Sequence, residues 1–175
     1  MEHRKKLNIK GKYILIATLL LIGVIGITGY FNISESRGDS DSLIISKDGE
    51  DVKTFTLKEI REMPSATAHV KLISTEKGDE EGDFKGVDVK TLLQSVDPEL
   101  LDECSKFIFV AGDGYSSALT AKEILKDKNV ILAYEKDGEN FTHFNEGGSG
   151  PLRVIITSDT YGNRSTKFVT RIECR

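Results

Sequence analysis

The stretch YILIATLLLIGVIGITGYF, residues 13–31, carries no charged side chain, and no other feature constrains the chain so strongly. An α-helix rises about 1.5 Å per residue, so about 19 residues span a hydrocarbon core of roughly 30 Å. The segment is therefore expected to be a transmembrane helix. Whatever folds as a water-exposed domain must come from the residues after it.

The flanks of that helix set its orientation. Arg4, Lys5, Lys6, Lys10 and Lys12 precede it, whereas the first charges after it are Glu35 and Arg37. The positive-inside rule then leaves residues 1–12 as a cytoplasmic basic segment and sends the remainder out of the cytoplasm. The rival reading is a cleaved signal peptide, but the apolar run is long for one and no A-x-A-like site follows. No Cys follows it closely, which disfavours a lipoprotein, and Ile16 stands where a pilin-type leader would carry a Glu. An uncleaved, single-pass anchor is the expectation.

Charge divides unevenly along the chain. Five bases and one acid give residues 1–31 a charge of +4, so a whole-chain charge of -4 leaves residues 32–175 at -8. A domain that acidic is a poor partner for nucleic acid or for anionic lipid heads. Yet from Arg153 to the C-terminus five bases (Arg153, Arg164, Lys167, Arg171, Arg175) face two acids, Asp159 and Glu173. That local excess of +3 requires an explanation.

Residues 32–42, NISESRGDSDS, are polar and without aromatics, and read as a flexible linker. Residues 43–175 then alternate strand and helix signals. SLIIS and VKTFT flank an Asp48-Gly49 hairpin tip; TLKEIREMP is a helix with a Thr56/Glu59 capping box, stopped by Pro64. TAHVKLIST is a strand with Ala68, Val70 and Leu72 on one face, and residues 76–83, EKGDEEGD, form a solvated acidic loop. GVDVKTLLQSV is a helix, and DPELLDEC another with Asp97 as N-cap and Pro98 in its first turn. KFIFVAG and NVILAYE are buried strands, separated by an Asp113-Gly114 turn, the strand YSSALT and a Thr120/Glu123 capping box. The sum is an α+β domain with a mixed β-sheet, preceded by one transmembrane helix.

Motifs for chemistry are few. There is no H-E-x-x-H, C-x-x-C, P-loop or G-x-S-x-G. His69 lies in a strand and His143 in the loop FTHFNEGGSG, and the acidic loop lacks the spacing of a calcium loop, so no metal site is expected. Cys104 and Cys174, both on the expected outer side, pair as a disulfide or remain as two buried thiols; an even pair in an oxidising compartment favours the disulfide.

In RSTKFVTRIEC, alternation sends Lys167, Val169, Arg171 and Glu173 to one face and Phe168, Thr170, Ile172 and Cys174 to the other. In LRVIIT, Leu152, Val154 and Ile156 point inward and Arg153 outward. Arg153, Arg164 and Lys167 could then converge beside the Tyr161-Gly162 turn, whose backbone N–H groups would suit a phosphate. The same residues could equally be the solvated charges of an edge strand.

Four segments carry a resemblance. FKGVDVKTLLQSV, FIFVAGDGYSSALTAKEI, NVILAYEKDGENF and GGSGPLRVIITSDTYGNRSTKFVTRIE are similar, in that order, to the sulfite-oxidase-type oxidoreductase molybdopterin-binding domain family. The resemblance covers about residues 55–173. It implies that fold and a molybdopterin cofactor, whose phosphate the segment from Arg164 to Lys167 would help to hold; with the cluster read above, the candidate cofactor-binding set is Arg153, Arg164 and Lys167, with His143 as a further candidate. In that family a cysteine at the end of the strand matching AHVKLIST binds molybdenum, but Ile73, Ser74 and Thr75 occupy that place here. A rarely ionised Ser hydroxyl does not replace a thiolate.

Three readings follow: an anchored domain that binds a pterin or related anion without family-type turnover, an envelope interaction module with a vestigial pocket, and a molybdenum oxidoreductase with atypical ligation. The membrane is the expected partner through the N-terminal helix, with an envelope protein or electron-transfer partner as the candidate beyond it.

Overall fold

A computed structural model of the chain describes residues 18, 41–74, 78–143 and 146–175. The expected anchor over residues 13–31 lies outside these, Thr18 excepted, as does most of the expected linker. Among the described residues no helix is long and apolar enough to cross a membrane.

Local chemistry accounts for most element boundaries. β1 (Ser42–Lys47) and β2 (Glu50–Thr56) pair antiparallel through a turn in which Asp48 and Gly49 both take positive φ, 51° and 90°. That pair of left-handed residues matches the twist of a two-residue hairpin. α1 (Leu57–Glu62) begins at the capping box: the Glu59 N–H donates to Thr56 Oγ1, and the Glu59 carboxylate accepts from the Thr56 N–H. It ends at Met63, extended because Pro64 follows.

β3 (Ser65–Leu72) and β4 (Glu80–Asp88) form a long antiparallel pair in which His69 faces Asp83 and Lys71 faces Glu81. Residues 80–83 are thus strand, where an acidic loop was expected. Cross-strand partners of opposite charge on β3 make extended pairing favourable for these acids.

α2 (Val89–Val96), capped by the Asp88 side chain, buries Val89, Leu92 and Leu93. α3 (Leu100–Glu103) follows a turn in which the Asp97 side chain accepts from the Glu99 N–H. Asp97 therefore stabilises the turn before the helix, and Glu99 holds the N-cap position. β5 (Lys106–Ala111) and β6 (Ser116–Thr120) form a second hairpin, and α4 (Ala121–Ile124) repeats the capping box with Thr120 and Glu123. β7 (Val130–Lys136) turns through Asp137-Gly138 into β8 (Glu139–Asn140); β9 (Arg153–Ile156) and β10 (Val169–Cys174) complete the domain.

These strands make two sheets. One has the order β2-β1-β10-β5-β6, with β10 parallel to β1 and antiparallel to β5. The other runs β3-β4-β7-β8, with β9 also paired to β7. The main core draws on both: Leu43, Ile45, Phe107, Phe109 and Ile172 from the first, and Val87, Leu132, Val154 and Ile156 from the second. Truncating a buried Phe in such a core costs about 3–5 kcal/mol. A second apolar cluster (Val70, Leu72, Phe84, Ile131, Ala133, Ile155) covers the opposite face of the second sheet.

That second cluster decides where the basic residues go. Leu152, Val154 and Ile156 do face the main core, but the other face of β9 is covered too, so Arg153 is only 4% exposed and does not point to solvent. The alternation expected in RSTKFVTRIEC also fails at its start. Phe168 has φ of 55°, the register shifts between Val169 and Arg171, and Val169 is buried with Ile172 and Cys174. A bulge of this kind resets which residues face inward.

Candidate functional site

A concave pocket of about 660 Å³ opens where the two sheets' connections meet. Leu72 and Ser74 line it from the end of β3, Asp79 and Glu80 from the start of β4, and Asp113 and Tyr115 from the β5–β6 turn. Arg153 enters from β9, and Gly162, Asn163, Ser165 and Lys167 come from the segment before β10.

Main-chain bonds bring these pieces together. The Ile73 N–H donates to Thr160 O at 2.9 Å, and the Gly162 N–H donates back to Ile73 O at 3.2 Å, an isolated parallel bridge between Ile73 and Tyr161. Arg153 bridges Lys167, and the Val154 N–H donates to Thr166 O at 2.9 Å. The buried Thr166 Oγ1 donates to Ser117 Oγ at 2.7 Å, and the Tyr115 hydroxyl donates to Asn163 O. The Gly162 N–H, expected to be free for a phosphate, is therefore spent on Ile73.

Phe168 holds the last approach to the site. Its ring packs where a Cβ on Gly112 or Gly150 would stand, at 2.3 and 2.4 Å, so both positions need glycine. The Gly112 N–H donates to Phe168 O at 2.9 Å. The GSGP segment thus serves the backbone path that delivers Lys167 to the pocket.

Arg153 carries the strongest electrostatic pairing at the site. Its Nη1 donates to both oxygens of Glu80, at 2.9 and 2.8 Å, and its Cζ lies 5.4 Å from the Phe84 ring centre. Its Nε is buried with no hydrogen-bond partner, as is Ser165 Oγ. Burial alone would raise the Glu80 carboxyl, but the Arg153 charge and hydrogen bonds, with Lys167 and Lys136, hold it below its ordinary range. Lys136 Nζ lies 3.5 Å from Glu80.

The expected binding residues do not all meet. Arg153 and Lys167 line the pocket together. Arg164 turns away from it: Nε and Nη2 donate to Asp159 at 3.0 and 2.6 Å, and Nη1 donates to Glu123 at 2.7 Å. His143 pairs with Asp41 at 3.3 Å and does not line the pocket. Arg171 pairs with Asp51, and Arg175 with Glu173. The C-terminal excess of base is thus answered by carboxylates, three of them (Glu80, Glu123, Asp51) from distant positions.

Glu80 is the site residue that strand alternation would have revealed. In a strand over residues 80–88, Glu80, Gly82 and Phe84 share a face, which places the carboxylate with the ring that Arg153 covers. Among the described residues no group of three metal-ligating side chains converges. The two cysteines are joined to each other, Cα to Cα 5.7 Å, as the disulfide reading expected. The arrangement can hold a polar or anionic group by hydrogen bonds from Lys167, Ser165 and Arg153.

The family profile described as the oxidoreductase molybdopterin binding domain matches residues 31–175. Among solved structures, the crystal structure of the sulfane dehydrogenase SoxCD from Paracoccus pantotrophus is similar, with a TM-score of 0.62 and 17% sequence identity over 78% of this chain. At that identity the likeness concerns the fold. The chain spans 39% of that protein's chain. No curated protein matches the sequence.

Proposed function

The chain belongs to the oxidoreductase molybdopterin-binding domain family, and from that membership we propose that it is a membrane-anchored, extracytoplasmic domain whose pocket binds a pterin cofactor or related anion without family-type molybdenum turnover. The anchor and orientation rest on the uncharged residues 13–31 and the basic residues before them.

The observation that carries the binding half is the pairing of unspent donors with a cavity. Arg153 Nε and Ser165 Oγ are buried and unpartnered, and both residues line the pocket beside Lys167. A buried donor left unmade costs about 1–3 kcal/mol, so such groups mark a place where a ligand relieves a deficit. An anionic terminus, such as a pterin's phosphate, supplies acceptors of the right kind.

The residues do not fit the metal. By resemblance the family's thiolate falls among Ile73, Ser74 and Thr75; of these Ser74 lines the pocket after β3, and the chain has no cysteine outside its disulfide. A hydroxyl stays protonated under conditions that ionise a thiol and is a harder, weaker ligand.

Titration of the purified protein with inorganic phosphate at low salt tests the binding half. Binding should weaken as salt rises, and Lys167→Met should weaken it about tenfold or more. Unchanged affinity in that variant would place the ligand elsewhere.

A further inference from the structure

The pocket's charge is not that of a simple anion site. Arg153 and Lys167 are opposed by Asp79, Glu80 and Asp113, so its lining sums to one negative charge. Glu80 stands out among the acids. It alone makes a bidentate contact to the buried guanidinium, and Lys136 and Lys167 also act on it. Its side chain is 30% exposed against 5% for Arg153, so the carboxylate lies between the guanidinium and the water.

Glu80 also engages only one end of that guanidinium. Both of its oxygens take Nη1, while Nε stays unpartnered. A fork-shaped cation that presents one nitrogen to a carboxylate retains donors for another acceptor, but its charge is already balanced. An incoming group therefore meets hydrogen-bond donors without a matching surplus of positive charge. Each further negative charge on it is repelled by Glu80 at short range, where the surroundings screen poorly.

We propose that Glu80 is a specificity-determining residue of this pocket: by standing as the resident counter-anion of Arg153, it admits a singly charged phosphodiester-like group and removes the advantage of a second charge. The inference rests on the reading of the pocket as a binding site for phosphate-bearing ligands. It adds to that reading a preference for phosphate groups that carry one charge, as a phosphodiester does, without excluding those that carry two. The residue assigned this role lies in the DEEGDF stretch, whose acids would otherwise pass as a solvated surface.

The test compares two small probes, dimethyl phosphate with one charge and sulfate with two, on the full chain and on Glu80→Gln, by calorimetry at low salt. Gln keeps the shape and one acceptor oxygen for Nη1, and replaces the other oxygen with an uncharged amide donor. The wild-type chain should bind dimethyl phosphate at least as tightly as sulfate, and Glu80→Gln should gain about tenfold or more for sulfate and reverse the order. A wild-type chain that prefers sulfate severalfold overturns the proposal, and this arm needs no variant to fold. A variant that binds both probes as the wild type does also overturns it, while leaving the pocket reading intact. If neither probe binds either protein, the pocket reading falls and this inference with it.

Discussion

Arg153 and Glu80 are paired across an intervening strand: β9 and β4 each flank β7, and Arg153 Nη1 reaches both Glu80 oxygens at 2.9 and 2.8 Å. The contact ties the first residues of two strands that share no ladder bonds. It also balances the charge of the guanidinium that the basic C-terminal segment offers to a ligand, while the pocket beside it stays open.

The two halves of this pair differ in what their loss leaves behind. Glu80→Ala strands a guanidinium 5% exposed, whereas Arg153→Met leaves a carboxylate 30% exposed with Lys136 and Lys167 still near it. Removing one partner of a buried pair costs about 3–5 kcal/mol, and partial exposure places this pair at the low end. Urea unfolding should show Glu80→Ala destabilised by about 3 kcal/mol and Arg153→Met by clearly less. Equal losses would mean that Arg153 is not the buried member energetically.

Arg164 should act on the fold rather than on a ligand. It joins Asp159 beside its own turn to Glu123, whose carboxylate also serves the Thr120 capping box. Burial alone would raise the Glu123 carboxyl, yet the Thr120 N–H and the Arg164 guanidinium bring it down to about 2. A carboxyl lowered in the folded state adds stability above its ordinary value of 4.5, and that stability is lost as pH falls from there toward 2. Arg164→Ala should lose about 1 kcal/mol at pH 7, less at high salt because the pair is part-exposed. Its melting temperature should fall less steeply between pH 5 and pH 3 than the wild type's, and parallel curves would contradict the assignment.

Two glycines test the packing. A Cβ on Gly86 would stand 2.1 Å from Leu132 O, and one on Gly150 would stand 2.4 Å from the Phe168 ring, at a φ of 82° that L-residues rarely adopt. Overpacking against main chain costs about 1–3 kcal/mol, and the positive φ adds to that at Gly150. Each change to Ala should lower the melting temperature by several degrees. Gly49→Ala, with no atom within 4 Å, should cost only the strain of its φ.

The disulfide closes a long loop. Cys104 and Cys174 are 70 residues apart, a span worth roughly 4 kcal/mol in the chain-entropy model. Reduction should lower the melting temperature by several degrees, and the denatured, unreduced protein should show no titratable thiol. Two thiols in that assay would count against the bridge.

What the sequence made legible was local. Asp-Gly pairs at 48–49 and 137–138 sit at hairpin tips with positive φ, and both capping boxes form because their donors and acceptors lie three residues apart. The apolar run NVILAYE reads correctly as a strand buried on both faces, since no alternation interrupts it. Alternation misplaces Arg153 because it assumes one wet face, whereas the second face of β9 is covered by residues from β3 and β4. The same alternation puts Lys167 and Phe168 in a regular strand, but a positive φ and a bulge delay β10 to Val169. The partners of Arg164 and Arg153, 41 and 73 residues away, follow from tertiary topology that no local pattern encodes.

Whether the pocket holds a pterin without metal is read from the cofactor content of the chain purified from a host that makes molybdopterin. Metal analysis and pterin fluorescence on one sample report the two halves of the site separately. Molybdenum should lie far below one atom per chain, with no sulfite- or sulfoxide-linked turnover, and a pterin or phosphate ligand should be lost as salt is raised or in Lys167→Met. Stoichiometric molybdenum with such turnover would contradict binding without metal chemistry, because the pocket would then support that chemistry with no cysteine among Ile73, Ser74 and Thr75.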